Sequence, residues 1–405
     1  MLAYSLGFDI YLVGGVVRDL ILGKAVFDLD IVVEGDAITF AKKLSDSLGG
    51  SFRRHHAFGT ATVNIGKHKI DFATARSEKY SHWGALPKVK PGSLAKDLIR
   101  RDFTINAIAI SLNKKDYGEL IDLHNGLVDL KNGLIRVMHD NSFLDDPTRI
   151  LRAIRFEQRF SFRIEPHTFK LLKAALADKA LSFVNPHRLR DELILILQEP
   201  KPYRYIKRIK ELEGFSFIDK KVRLSKQHLQ FFLRAERAVK RYQKKFKKHR
   251  RLQIWTIYLA GILSKLSSRQ IGKILHDFGF KKGERIIVSS IKAGIPQITK
   301  LNRKLKPHVI YRMLSFYSFE SVLFFYAYYS KNKLRKNIEY FLDELANIRL
   351  KVRGRDLKKL EFQPQTLYNK LLQKLLYVKI DKGVKTKKEE LNEVKRIFKR
   401  LPKTK

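Results

Sequence analysis

Two aspartates separated by one residue, Asp28 and Asp30, stand in an otherwise apolar run that reads FDLDIVV. In a β-strand, residues i and i+2 project from the same face, so a strand here brings the two carboxylates together. Two close carboxylates repel each other and are costly to bury, and a divalent cation removes both problems. Magnesium binds one or two carboxylates together with waters and substrate phosphates. The pattern therefore points to a Mg²⁺ site, and the alternative is a solvent-facing pair on an edge strand.

A pair of glycines, Gly14 and Gly15, precedes the aspartates between the apolar strand IYLV and a short predicted helix. At such a junction, backbone N–H groups and a helix N-terminus can hold a phosphate group. Arg18, one turn into the helix, could add a charged contact to the same phosphate. A tight turn explains the glycines better when they are taken alone, but beside the two aspartates they favour a phosphate-binding metal site.

The whole chain of 405 residues is strongly basic, with 83 Lys and Arg, 40 Asp and Glu and a formal net charge of +43. That excess predicts a polyanionic partner. We favour nucleic acid over a membrane, because no apolar run approaches the roughly 18 residues that a spanning helix needs. The N-terminus does not resemble a signal peptide. Cysteine is absent, which excludes disulfides and agrees with a cytoplasmic location.

The elements that must position these residues change in character along the chain. The first 135 or so residues alternate strand and helix signals, with a hairpin predicted around Gly66. From about Asp146 the pattern is helical almost to the end, with apolar residues at three- and four-residue spacing. The sequence therefore predicts an α+β protein in which a small mixed sheet with helices is followed by an elongated, basic, all-α region.

Three long segments resemble, in order and spacing, the signature motifs of class II tRNA nucleotidyltransferases and bacterial poly(A) polymerases. The segments are GGVVRDLILGKAVFDLDIVV, RRDFTINAIAI and DDPTRILRAIRF. The resemblance covers roughly residues 8–200 and extends more loosely to VRGRDLKKLEF. It implies four domains: a nucleotidyltransferase head at 1–137, a helical neck at 138–200, a helical body at 201–335 and a helical tail at 336–405.

The resemblance also assigns roles to single residues of the head. The two aspartates of the family's first motif bind the catalytic magnesium ions, which implies this role for Asp28 and Asp30. Asp71, in HKIDF, matches a position that is often acidic and would complete the cluster; a strand-end hydrogen bond is the alternative. The nucleotide-binding residues implied or predicted in the head are Gly14, Gly15, Arg18 and Arg101.

The third motif carries Arg149, Arg152 and Arg155, whose three-residue spacing keeps them near one helical face. The family reads the incoming base on this face, and the match implies that Asp146 and Arg149 form the reading pair. The carboxylate would accept from the amino group of cytosine or adenine while the guanidinium donates to the ring nitrogen. Alternatively, Asp146 caps the helix and Asp145, where the family usually has Glu, contacts the base.

Two further segments of the head carry structural predictions. The stretch between Phe72 and Arg100 predicts an irregular, functional loop. The family has an element here that influences whether C or A is added. The segment GALPKVKPGSL of this chain resembles the A-adding enzymes and related long poly(A)-polymerase-like proteins. RRDFTINAIAI predicts a helix, within which we favour structural roles for Asp102 and Asn106. Four apolar residues of this segment are predicted to pack into the head: Phe103, Ile105, Ile108 and Ile110.

The basic helical region predicts contacts to RNA phosphates without base reading, with a solvated helix surface as the alternative. The resemblance implies that the acceptor–TΨC arm of tRNA is held by shape along this region. The residues predicted to contact RNA are Arg241, Lys244, Lys245, Lys247, Lys248, Arg353 and Arg355.

We therefore predict a Mg²⁺-dependent, template-independent nucleotidyltransferase that acts on tRNA 3′ ends. ATP is the expected substrate, joined by CTP if the enzyme builds more than the terminal A. Addition of the terminal A is favoured, complete CCA addition is the alternative, and poly(A) synthesis is the third enzymatic option. A non-catalytic RNA-binding protein is the fourth, which the presence of Asp28, Asp30 and Arg101 disfavours.

Overall fold

The computed structural model describes residues 2–25, 28–55, 59–212, 214–245, 252–330, 332–360 and 367–399. The chain divides into two compact units, unit 1 at Met1–Lys220 and unit 2 at Lys221–Lys405. This division falls inside the segment predicted as the third domain. The finer boundaries at 137, 200 and 335 stay predictions.

Unit 1 contains a seven-stranded mixed sheet in the order β3-β4-β5-β2-β1-β8-β9, beside two small two-stranded sheets. The strands are β1 (Asp9–Val13), β2 (Asp28–Glu34), β3 (Ser51–His55), β4 (Thr60–Ile65), β5 (His68–Thr74), β6 (Arg76–Lys79), β7 (Lys88–Pro91), β8 (Ile108–Ser111), β9 (Leu120–Asp122), β10 (Leu134–Ile135) and β11 (Arg163–Ile164). Within the large sheet, β2 and β5 pair in parallel and the other neighbours are antiparallel. The predicted hairpin around Gly66 is confirmed as β4 and β5.

The helices of unit 1 lie around this sheet and then continue the chain beyond it. They are α1 (Leu2–Ser5), α2 (Gly15–Ile21), α3 (Ala37–Leu48), α4 (Leu94–Ile99), α5 (Gly126–Asn132), α6 (Ser142–Asp145), α7 (Thr148–Phe160), α8 (Pro166–Ala177), α9 (Pro186–Gln198) and α10 (Pro202–Leu212). The predicted α+β class is confirmed, since a mixed sheet with helices precedes a region of helices.

Alternation along β2 decides which face of the sheet carries the acidic pair. Ile31 and Val33 pack on one side with Phe40 of α3. Val32 packs on the other side with Leu98 of α4. Because the side-chain period of a strand is two, the carboxylates at positions 28 and 30 share the face of Val32.

Two predictions about local structure in unit 1 are wrong. The stretch between Phe72 and Arg100 is not irregular throughout, because β6 and β7 form an antiparallel pair and α4 follows. The segment RRDFTINAIAI is not a helix: a single 3₁₀ turn at Thr104–Asn106 leads into β8. The predicted burial does hold for three of its apolar residues, Phe103, Ile105 and Ile108.

The regular elements of unit 2 within its described residues are all helices, as the apolar spacing predicts. Its helices are α11 (Lys226–Lys245), α12 (Trp255–Leu263), α13 (Ser268–Asp277), α14 (Lys282–Ile298), α15 (Pro307–Leu314), α16 (Phe319–Tyr328), α17 (Asn332–Tyr340), α18 (Gly354–Lys359), α19 (Tyr368–Lys382) and α20 (Lys387–Lys399). Aromatic residues such as Phe232, Tyr258 and Phe324 fill its core. Within the described ranges, none of the helices combines the length and apolar character that a membrane crossing requires.

Candidate active site

The acidic pair predicted on one strand is extended by a third carboxylate from the neighbouring strand. Asp30 of β2 lies directly opposite Asp71 of β5 in the parallel register. Asp71 accepts a hydrogen bond from Thr62 Oγ1 at 2.6 Å and a second from the Lys69 ammonium. The strand hydrogen bond considered for Asp71 is therefore present, and Asp71 also stands opposite Asp30 in the strand register; its place in a catalytic cluster stays a prediction. Asp28 stands exposed at the start of β2.

The environment of Asp30 makes its negative charge unfavourable. Partial burial raises the pKa of Asp30, and the neighbouring Asp71 raises it further, against opposite effects of Arg101 and Lys69. A divalent cation would offset this repulsion, so the donor set fits such an ion. In the described part of the chain, however, no three His, Cys, Asp or Glu side chains converge closely enough to enclose a metal. The arrangement fits a cation that completes its coordination with water and substrate.

Gly14 and Gly15 stand at the start of α2, where Gly14 lies close to the side chain of Arg101. Gly14 has a positive φ of 76°. A Cβ atom added there would lie 2.5 Å from Nη1 of Arg101. Because this φ, with a ψ of −134°, is a backbone conformation that residues with a side chain rarely adopt, glycine is favoured here, and a Cβ atom would also displace the Arg101 guanidinium. The turn therefore brings bare backbone and the Arg101 guanidinium to one place, as a phosphate site needs.

Arg101 is oriented by an aspartate that the sequence analysis did not identify. Asp97 of α4 is fully buried and accepts from Arg101 Nη2 at 2.8 Å and from Arg100 Nη2 at 2.5 Å. Although burial raises the pKa of Asp97, the two guanidinium groups outweigh it and hold the pKa below its usual value. Asp97 is one turn before the arginines on the chain, a spacing that could have indicated this pairing.

A buried polar network connects the first motif to the other two. Arg18 donates from Nη1 to Asn106 Oδ1 at 2.5 Å, and Asn106 donates from Nδ2 to Asp102 Oδ1 at 2.9 Å. Asp102 Oδ2 in turn accepts from Arg152 Nη2 at 2.6 Å. Burial would raise the pKa of Asp102, but Arg152 and Asn106 lower it to about 2. The structural roles favoured for Asp102 and Asn106 agree with these contacts.

The three arginines of the third motif lie on α7, as predicted, but each has a different environment. Arg149 is buried and donates from Nη1 to Ser142 Oγ at 2.5 Å and from Nη2 to the Arg100 carbonyl at 2.8 Å. Arg152 binds Asp102 and also donates to Glu192 Oε1 at 3.0 Å. Arg149 is therefore fixed by neutral oxygens, whereas Arg152 is neutralised by two carboxylates.

Asp146 caps α7 and also faces the space beside Arg149. Its Oδ1 accepts from the backbone N–H of Thr148 at 3.0 Å and lies 2.8 Å from Nη2 of Arg188. Its Oδ2 has no hydrogen bond to a described residue. Asp145 instead pairs with His139, at 3.8 Å between Oδ2 and Nε2, and does not line the cavity described below. The geometry therefore favours Asp146 over Asp145 as the acceptor that faces a ligand.

A cavity of about 720 Å³ is lined by most of the residues of unit 1 that were predicted to form the site. Asp30 lines the cavity, while Asp28 and Asp71 do not. The predicted residues that line it are Gly14, Gly15, Arg18, Asp30, Arg101, Asp146, Arg149, Arg152 and Arg155. The volume suits a nucleotide-sized ligand.

Several polar atoms around this cavity are buried without a hydrogen-bond partner among the described residues. They are Arg101 Nε, Arg155 Nε and Glu192 Oε2, the last lying 3.4 Å from Arg155 Nη2 as an ion pair. Buried polar atoms are almost always bonded, so unpaired ones around one cavity suggest a ligand. Sequence reasoning missed Glu192 and Arg188; both lie on α9, one helical turn apart, which was the available signal.

The residues predicted to contact RNA have unequal environments. Arg241 is held by Glu339 and by Asp343, the latter at 2.8 Å from Nη2, so it is engaged inside unit 2. Lys244, Arg353 and Arg355 are exposed. The other predicted groups lie outside the described residues: the side chain of Lys245, and the whole of Lys247 and Lys248.

Comparison with known proteins finds two matching families. The Poly A polymerase head domain matches residues 10–136. A family described as "Probable RNA and SrmB- binding site of polymerase A" matches residues 161–218. The first match spans the large sheet and the segments GGVVRDLILGKAVFDLDIVV and RRDFTINAIAI. The second match includes α9.

The chain is also similar to complete proteins. It is 38% identical to an A-adding tRNA nucleotidyltransferase of Aquifex aeolicus, over 86% of this chain and 42% of that protein. It is 32% identical to one of Geobacter sulfurreducens, over 96% of this chain and 45% of that protein. The chain thus spans less than half the length of these two curated relatives.

A solved structure matches over nearly the full length of both chains. It is a Thermotoga maritima CCA-adding enzyme complexed with tRNA, at 32% identity and a TM-score of 0.75, covering 98% of this chain and 93% of that chain. The sequence motifs, the cavity that their residues line and these similarities all indicate the same family. The chain belongs to the family of class II tRNA nucleotidyltransferases and bacterial poly(A) polymerases.

Proposed function

We propose that this chain transfers nucleotides from nucleoside triphosphates to the 3′-hydroxyl of tRNA without a template, and that it adds the terminal A. One observation carries the proposal: the cavity that joins Asp30 to the base-facing pair Asp146 and Arg149. Two A-adding relatives and a tRNA-bound CCA-adding relative support the reaction class. The site residues remain part of the proposal, as does a cytoplasmic location.

The triphosphate would lie among the bare backbone of Gly14 and Gly15 and the guanidinium of Arg101. Arg101 is pre-oriented by Asp97, so it requires little ordering when a nucleotide binds. Arg18, by contrast, is almost completely buried and already bonded to Asn106. We therefore assign Arg18 to support of the turn and of Asn106 instead of direct phosphate contact.

Asp146 and Arg149 would select the base. Asp146 uses Oδ1 to cap α7 and to pair with Arg188, which leaves Oδ2 to accept from the amino group of adenine or cytosine. Each Nη of Arg149 has donated one hydrogen, so each retains one for a ring nitrogen of the base. Uracil and guanine would present a carbonyl to Asp146 and leave the carboxylate unpaired, which disfavours them.

Asp30, with Asp28 and Asp71 beside it, would hold a divalent cation, and we propose Mg²⁺. Bound there, the ion would lower the pKa of the RNA 3′-hydroxyl and neutralise charge on the triphosphate as pyrophosphate leaves. Asp71 is already bonded to Thr62 and Lys69. We therefore assign the principal ligand role to Asp30 and a supporting electrostatic role to Asp71.

Complete CCA addition is the second candidate, because the tRNA-bound structural relative is a CCA-adding enzyme. Terminal A addition is preferred because two curated similarities that cover most of this chain are to A-adding enzymes and because of the segment GALPKVKPGSL. The two candidates share the cavity and its chemistry, so they differ only in what the protein permits at the growing end.

Extension of tRNAs that end without CCA, in C or in CC separates the candidates. Each tRNA is incubated with Mg²⁺ and single nucleoside triphosphates, then with ATP and CTP together. We expect growth of the CC-ending tRNA alone, and only with ATP. Completion of bare tRNA would establish CCA addition, long adenosine tails would establish poly(A) synthesis, and no extension of any substrate would refute the proposal.

A further inference from the structure

A second cavity, of about 370 Å³, lies inside unit 2 at the first turn of α11, beside the ends of α12 and α16. The polar side chains that line it are those of Gln227, His228, Gln230, Arg234, Ser264, Lys265, Tyr328 and Ser330. None of the described residues that line it is acidic. Hydrogen-bond donors and positive charge therefore dominate its walls.

His228 offers this cavity a donor of defined direction. The backbone N–H of Ser225 donates to Nδ1 at 3.0 Å, so Nδ1 is unprotonated and Nε2 carries the hydrogen. Burial of the ring, which is 8% exposed, and the charge of Lys265 lower the pKa of His228, which keeps the ring neutral near pH 7. Nε2 has no hydrogen-bond partner among the described residues.

Two cations complete the wall of the cavity. Arg234 donates from Nε to the Ala327 carbonyl at 2.7 Å and from Nη2 to the Tyr328 carbonyl at 3.5 Å, which fixes the guanidinium while leaving the N–H groups of Nη1 available. Lys265 is exposed and makes no ion pair to a described residue. One fixed guanidinium and one exposed ammonium group beside a neutral donor are suited to a multiply charged oxyanion.

We propose that the unit 2 cavity binds a phosphate group. The volume exceeds that of a phosphate alone, which leaves room for the sugar of an RNA backbone or the remainder of a free nucleotide. Both sources present the same chemistry to His228, Arg234 and Lys265. This site is separate from the nucleotide cavity of unit 1, and it does not depend on the proposed transfer reaction.

The RNA source is tested by charge reversal at the exposed cation. Lys265→Glu is compared with Lys273→Glu, an exposed lysine of α13 that does not line the cavity. tRNA affinity is measured by filter binding at several salt concentrations. If RNA phosphate fills the cavity, Lys265→Glu weakens binding about tenfold and lowers the salt slope by about one, while the control loses about twofold or less.

The free-phosphate source is tested by NMR of protein labelled with ¹⁵N-histidine. The His228 signal is assigned by its loss in His228→Gln, and inorganic phosphate is then titrated at constant ionic strength. A saturable shift of the His228 signal, absent in Lys265→Glu, together with equal tRNA affinity of the two lysine variants, identifies free phosphate as the ligand.

The absence of both effects overturns the proposal. That result would consist of equal tRNA affinity for the two lysine variants and no saturable shift of the His228 signal with either tRNA or inorganic phosphate. Neither measurement requires nucleotide transfer. A wild-type protein that binds phosphate here yet extends no tRNA would therefore refute the proposed function and leave this site intact.

Discussion

The basic side chains of the two units differ in how deeply they are buried. Around the unit 1 cavity, Arg149 and Arg155 are buried and Arg152 is bonded to two carboxylates. In unit 2, Arg241 has a side chain that is 45% exposed, and Lys244 is exposed on the same helix. A group that reads a base must be fixed in direction, whereas a group that only attracts RNA phosphates needs charge alone. Burial therefore distinguishes the arginines proposed to read the base from the cations proposed to attract RNA.

The largest effect is expected at the carboxylate of the unit 1 cavity. Asp30→Asn should lower nucleotide incorporation by about a thousandfold or more, because it removes the charged ligand with little change in shape. tRNA binding should remain, since that depends on the cations. Single-turnover extension and filter binding measure the two quantities. Asp46→Asn, an exposed acid on α3, is the control; wild-type incorporation by Asp30→Asn would exclude the metal role.

The next effect is on the reading pair. Arg149→Lys keeps the charge but loses the planar fork that contacts Ser142 and the Arg100 carbonyl. We expect incorporation to fall about a hundredfold and the preference for ATP over UTP and GTP to fall about tenfold. Arg163→Lys, at an exposed position of β11, should change neither. Unchanged selectivity in Arg149→Lys would remove Arg149 from base reading.

Stability of unit 1 should depend on the buried network. Asp102→Ala leaves Arg152 and Asn106 without their shared acceptor and should lower the free energy of unfolding by about 3 kcal/mol. Denaturant titration, followed by a signal from unit 1, measures this change. A loss below about 1 kcal/mol would mean that Glu192 alone satisfies Arg152.

The same network predicts a pH dependence. Because the pKa of Asp102 in the folded state is about 2, below its ordinary value of 3.8, its stabilisation is present above pH 4 and is lost as the pH falls towards 2. The shift corresponds to about 2 kcal/mol. The difference in free energy of unfolding between wild type and Asp102→Asn should shrink by this amount between pH 5 and pH 2. A constant difference would contradict the assigned ionisation.

The smallest effect is expected in unit 2. Arg241→Gln breaks pairs with Glu339 and Asp343, but these groups are solvent-accessible, so the loss should be about 1 kcal/mol or less. Thermal unfolding measures the stability, and filter binding measures the affinity for tRNA. Lys244→Gln should instead leave stability unchanged and weaken tRNA binding slightly. A loss of stability from Arg241→Gln as large as that from Asp102→Ala would remove the contrast between the units.

The sequence allowed prediction of features that depend on local periodicity. The shared face of Asp28 and Asp30 follows from the two-residue period of a strand, and the arginine face of α7 follows from helical spacing. The error at Phe103 to Ile110 has a similar origin. Short apolar runs do not distinguish a strand from a helix, and the pairing with β1 that makes this segment β8 is long-range.

Contacts between distant segments could not be predicted in this way. Arg188 meets Asp146, and Glu192 meets Arg152, only because α9 packs against α7. The β6–β7 pair was missed because its residues are mostly polar and end at Pro91, which gives little strand signal. In each case tertiary packing supplied the information.

The parallel pairing of β2 with β5 has a consequence for when the residues of the cavity become available. A parallel pair needs a long crossover, so Asp30 and Asp71 are separated along the chain by α3, β3 and β4. The arginines of α7 join later still, because they follow the whole sheet in the chain. During synthesis, therefore, the residues that line this cavity are all present only after α9 has left the ribosome.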